Sequence, residues 1–249
     1  MLDPNERGSS AKRSYDIVYP QNKSRYRCKH LAVTDKQISY AINLSPRYEA
    51  ALVMATQLHA SQKRKGTSIP YVSHLLAVSS LVLEHCGSED QVIAALLHDA
   101  EEDQVGLPTL DKIRDHFEDV IAQIEDHCTD AYEEPNPEWR IRKEEYIASI
   151  AEKPLFAALV SCARKLHNAR AILNDLRTLG DELWERFTGG KEGTLWYYQS
   201  LATAFNDALV WLEGREVRET KATDRDVHHF CFTSARVFAS LLKVVMPSL

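Results

Sequence analysis

The run Leu96-Leu97-His98-Asp99-Ala100-Glu101-Glu102-Asp103 ends an apolar stretch with an imidazole and a crowd of carboxylates. A helix turns about 100° per residue. Continued through this run, it puts His98 and Glu102 on one face, with Asp99 and Asp103 a step around it. Carboxylates gathered at a helix C-terminus repel one another and the negative end of the helix. A divalent cation answers both. Alone, the run reads as a solvated acidic helix end with His98 a core histidine, but two other segments weigh against that. Pro70-Tyr71-Val72-Ser73-His74 opens the preceding helix, where His74 can complete a mixed imidazole/carboxylate shell suited to manganese, iron or zinc. The segment Ser161 to Arg170 brings Arg164, Lys165, His167 and Asn168 onto one helix that starts near Pro154. By itself it would be an amphipathic helix with a wet basic face.

The elements that must position these residues are all helical in pattern. One begins after Pro46 and stops at Lys63-Arg64-Lys65-Gly66. A second spans Tyr71 to Glu84. Ser88 and Gln91 form a capping box for a third, through Val92 to Leu97. Further periodic stretches start at Pro108 and cover Phe117 to Cys128, Trp139 to Ala151, Pro154 to Leu179 and Thr194 to Leu212, the last following a turn marked by Gly189, Gly190 and Gly193. No strand alternation and no internal repeat stand out. The expected fold is all-α, an orthogonal helical bundle over residues 46–214. Residues 1–45 read as a loosely ordered arm, and 215–249 as an extension whose apolar helix docks or makes a homo-oligomer contact.

Composition narrows the function. Hydrophobic residues make up 44%, charged residues 27%, and the formal charge is −6, values of an ordinary globular protein without the basic face of a nucleic-acid binder. No run is apolar enough to span a membrane, and the N-terminus lacks the apolar core of a secretory signal. Five scattered cysteines (Cys28, Cys86, Cys128, Cys162, Cys231) suit a reducing cytoplasm. The absence of a glycine-rich phosphate loop argues against ATP-driven synthesis.

The ordered blocks HASQKRKG, PYVSH, AALLHDAEED and CARKLHNAR resemble the HD hydrolase domain of RelA/SpoT proteins and small alarmone hydrolases, over roughly Pro46 to Leu212. That resemblance implies His74, His98 and Asp99 as metal ligands, with manganese the expected ion. It implies Glu102 and Asp103 as the catalytic carboxylates that orient or deprotonate the attacking water. Arg64 would stack on the base, Lys65 would contact phosphate and Asn168 would hydrogen-bond the nucleotide. The implied reaction removes the 3′-pyrophosphate of ppGpp or pppGpp, so the expected partner is a phosphorylated small molecule.

One position departs from that family. Its fourth block usually reads A-D-K-L, the aspartate being a ligand, and here Arg164 stands in its place. A guanidinium has no lone pair to offer. Three readings follow: a three-residue metal shell with Arg164 turned away; a metal-free pocket in which Arg164, Lys65 and Lys165 bind a nucleotide without hydrolysing it; or ligation by His167, which helical geometry disfavours. The retained carboxylates favour the first, a metal-dependent phosphohydrolase.

Overall fold

The computed structural model describes residues 43–85, 87–100, 107–117, 119–128 and 137–216, with side chains left out at 107–110, 125, 155–156 and 209–216. Helix α1 (Pro46–Leu58) starts where Ser45 caps the Arg47 amide and proline takes the first turn, where its missing N–H is no loss. The Ser45 amide donates to Glu89 and Arg47 pairs with Asp90 at 2.8 Å. These bonds tie the start of α1 to the acidic first turn of α3 (Glu89–Leu97). Both halves of the Ser88/Gln91 capping box form. From Gln91 to Leu97 every residue of α3 is buried, so this is the central helix. Around it pack α1, α2 (Val72–Glu84), α5 (Asp119–Cys128) and α7 (Leu155–Leu179), with α4 (Leu107–Phe117) on α5.

Helix α6 (Trp139–Ser149) continues into a 3-10 turn, Ile150–Glu152, and packs with it against α8 (Gly190–Glu216). Gly189 matters there because the Trp139 indole lies where a side chain would be: a Cβ would fall 2.5 Å from its ring. Gly193 lies inside α8 rather than in the turn before it. Among the described residues the bundle is all-α, and its one isolated bridge, Lys63 with Pro70, closes the loop between α1 and α2. Gly66 turns that loop at φ +70°, and Tyr71 N–H donates to the Gln62 carbonyl. Arg64 and Tyr71 thereby emerge side by side. Here the first helix stops at Leu58, short of the expected glycine stop, because the chain needs residues 59–71 for this loop.

No helix of the described residues is long and apolar enough to cross a membrane. Beyond residues 43–45 the N-terminal arm lies outside the described residues, as does the C-terminal extension beyond Glu216.

Candidate metal centre

Helix α3 ends at Leu97, so His98 is its C-cap and Asp99 sits in the following turn. The expected unbroken helix through both is therefore interrupted, and the turn aims the two side chains back at α2. His98 is 1% exposed and its Nδ1 lies 2.8 Å from the Ala95 carbonyl. A carbonyl only accepts, so Nδ1 carries the proton, and Nε2 is the ring nitrogen left to ligate. His74 lies in the first turn of α2, fully buried, with Nδ1 2.6 Å from Nδ1 of His167 on α7. Burial first, then Arg64, pushes His167 down to about 4. It is therefore neutral near pH 7 and can accept from His74, which leaves the His74 Nε2 lone pair facing inward. Burial, then His98, holds His74 itself well below the usual histidine range, so it too is neutral.

Three acceptor atoms now converge. His74 Nε2 is 3.2 Å from His98 Nε2, and Asp99 Oδ2 is 3.5 Å from the first and 3.0 Å from the second. Donors bound to one ion at about 2.0–2.2 Å, with angles of about 90–110°, lie roughly 2.8–3.6 Å apart. The set fits a divalent metal on both spacing and chemistry, because lone pairs aimed at one another repel unless a cation lies among them. The Tyr71 hydroxyl donates to Asp99 Oδ2 at 2.6 Å and steadies it from the side.

Arg164 faces the other oxygen. Its Nη2 lies 2.9 Å from Asp99 Oδ1, although no donor among the described residues is aligned on that oxygen for a hydrogen bond, so the contact is an ion pair. Its Nη1 donates to the carbonyl of Cys128, the last residue of α5, at 2.6 Å. Burial would raise the Asp99 carboxyl, but Arg164, then His98, hold it well below the usual carboxylate range. The cation thus stands behind Asp99 and leaves the space among the three lone pairs clear. His167 backs His74 and is not among the converging donors.

The remaining expected residues divide. Arg64 Nη2 donates to Asn168 Oδ1 at 2.8 Å and its guanidinium lies 5.6 Å from the Tyr71 ring, which stacks on His59 at 5.2 Å. Arg64 and Asn168 are therefore brought together, beside the donor set. Lys65 is exposed on the same loop. Lys165 is only 4% exposed, its ammonium 3.9 Å from the centre of the Tyr146 ring and 5.8 Å from that of Tyr197. Neither it nor Arg164 lies on a wet helix face. Glu102 and Asp103 lie outside the described residues. Sequence reasoning assigned no role to Tyr71, though it stands inside the PYVSH block, and none to His59.

A helical bundle that gathers two histidines and an aspartate from two helix ends defines an HD-domain protein. Residues 51–195 match the HD domain family, and the chain belongs to it, in the RelA/SpoT-like group. It is 32% identical over 144 residues to guanosine-3′,5′-bis(diphosphate) 3′-pyrophosphohydrolase MESH1 of Xenopus tropicalis, covering 55% of this chain and 75% of that protein. It is also 32% identical over 129 residues to a GTP pyrophosphokinase of Streptomyces antibioticus, covering 50% of this chain but 14% of that longer protein. Among solved structures, a metazoan ortholog of SpoT described as hydrolysing ppGpp superimposes with a TM-score of 0.56 at 24% identity, over 79% of this chain and 98% of that one, a likeness of fold.

Proposed function

We propose that the chain is a divalent-metal-dependent phosphohydrolase that removes the 3′-pyrophosphate from ppGpp, pppGpp or a closely related nucleotide. The observation that carries this reading is the convergence of His74 Nε2, His98 Nε2 and Asp99 Oδ2, the two rings held through their far nitrogens and the carboxylate oxygen steadied by the Tyr71 hydroxyl. Manganese is the proposed ion. When bound, such an ion lowers the pKa of a coordinated water toward neutrality. The chain's own residues do the rest. Arg64, with the Tyr71 ring beside it, stacks on the base, Asn168 hydrogen-bonds the nucleotide, and Lys65 supplies positive charge toward the phosphates, whereas Lys165 is held against the tyrosine rings. Glu102 and Asp103 take the proton from the attacking water. The functional unit is residues 46–214, and the scattered cysteines suit the cytoplasm. The names of the amphibian and metazoan relatives support the substrate class.

A second reading is favoured by one observation, the Arg164–Asp99 pair at 2.9 Å: a nucleotide-binding protein that no longer turns its ligand over. One experiment separates them. The purified chain is analysed for metal and assayed for ppGpp hydrolysis with added Mn2+, beside Arg164→Asp. Metal and turnover in the natural chain establish the hydrolase. Their appearance only in Arg164→Asp establishes the binding protein.

A further inference from the structure

Arg164 sits in a stretch of α7 that is buried on every side, from Leu159 to Leu166, and is itself 6% exposed. A guanidinium placed there must be answered, since an unpaired buried charge is strongly unfavourable. Two groups answer it at once. Nη1 takes the Cys128 carbonyl at the negative C-terminal end of α5, and Nη2 takes Asp99 Oδ1. Beside it, Lys153 donates to the carbonyl of His127, so two cations close the end of α5. Arg164 therefore joins the turn after α3 to α5 and α7 at one point. It also sets the rotation of the Asp99 carboxylate: with Oδ1 engaged, Oδ2 is the oxygen presented to His74, His98 and Tyr71.

We propose that Arg164 is a resident counter-cation: it holds Asp99 in its ligating orientation with no metal bound, makes the fold independent of metal, and weakens the site's affinity for a divalent ion. The proposal rests on reading His74, His98 and Asp99 as a cation site. A carboxylate already neutralised by a guanidinium attracts an arriving ion less than a bare one does. Imidazoles ligate as neutral rings, so they add no negative charge to draw the ion in. Arg164 is a positioning residue, acting through Asp99.

The test uses the full chain and reads melting temperature and Mn2+ binding, not turnover. The natural chain should melt within about 2 °C of the same temperature in EDTA and in Mn2+. Arg164→Met, which keeps most of the aliphatic stem and leaves Asp99 without its counter-cation, should melt roughly 10 °C lower in EDTA and recover most of that in Mn2+. Arg164→Asp should bind Mn2+ at least about tenfold more tightly than the natural chain, followed by the electron paramagnetic resonance of the free ion. Arg164→Lys, which keeps the charge, should stay indifferent to EDTA. A natural chain that gains as much from Mn2+ as Arg164→Met overturns the proposal, and needs no variant to fold. So does Arg164→Met melting like the natural chain in EDTA. The hydrolase reading can fail separately: a chain stable in EDTA that hydrolyses nothing leaves the counter-cation standing. One that turns over ppGpp but melts about 10 °C higher in Mn2+ does not.

Discussion

Tyr71→Phe removes one oxygen from the site and keeps everything else. The lost hydroxyl donates at 2.6 Å to Asp99 Oδ2, an oxygen of a side chain only 2% exposed. A hydrogen bond to a buried charged group contributes about 1.5–3 kcal/mol net. The lower end applies, because Arg164 at 2.9 Å and His98 at 3.0 Å still face the same carboxylate. A loss of about 1.5 kcal/mol lowers the melting temperature of a chain this size by roughly 3–6 °C. Releasing the group that steadies a ligand oxygen also weakens metal binding about tenfold. The ring remains, so its stack on His59 at 5.2 Å and the approach of Arg64 at 5.6 Å survive, and KM for the nucleotide should scarcely change. Circular dichroism melts and Mn2+ titration measure the two effects. A variant that melts within about 1 °C of the natural chain and binds Mn2+ equally well would show that the hydroxyl does not support Asp99, and the account of the donor set would fall with it.

The other expectations concern binding, packing and pH. Arg64→Lys loses the planar fork that donates to Asn168 and lies over Tyr71, so KM for ppGpp should rise about tenfold with kcat little changed; an equal fall in both kcat and kcat/KM would move Arg64 from binding to the reaction itself. Gly189→Ala drives a methyl to 2.5 Å from the Trp139 ring and should destabilise by about 1–3 kcal/mol in urea denaturation without altering Mn2+ affinity. In EDTA, stability should fall as pH drops from about 6.5 toward 4. Over that window the unfolded chain, with histidine at 6.5, binds protons that folded His167, held at about 4, and His74, also lowered, refuse. Allowing for the partial exposure of His167, the loss between pH 7 and pH 5 is about 1–2 kcal/mol. His167→Gln should flatten the slope, and a pH-independent urea midpoint for the natural chain would contradict the assignment.

What could be read from the sequence was local. Ser88 and Gln91 form their capping box because both hydrogen bonds are settled within four residues. The start of α1 at Ser45-Pro46 and the span of α7 follow from similarly short-range chemistry. The order of the four blocks placed His74, His98, Asp99, Arg64 and Asn168 at one site, and the fold brings these five together. What stayed hidden depends on partners far along the chain. His167 backs His74 across 93 residues, and Arg164 reaches Cys128 across 36. Periodicity carries no information about either. Taken alone, the basic pair in CARKLHNAR reads as a wet face because charge normally marks solvent. Here Arg164 is answered by Asp99 and a helix end, and Lys165 by tyrosine rings. The stop of α3 before His98 escaped for another reason: helix ends are set by packing as much as by propensity.

Arg164 also changes what the donor geometry can be taken to mean. In a site built around an ion, the ion both holds the ligands and provides the positive charge, so an ordered donor set and an occupied one go together. In this chain the two roles are separable. Arg164 supplies charge to Asp99 Oδ1, Ala95 and His167 fix the imidazoles, and Tyr71 steadies Oδ2. The donors are consequently preorganised whether or not an ion arrives, which favours binding by sparing the ordering of side chains. The same guanidinium opposes binding through its charge. The balance between these two effects decides between hydrolase and binding protein. It is a free energy rather than a distance, so the Mn2+ affinity of the natural chain set against that of Arg164→Asp measures it directly.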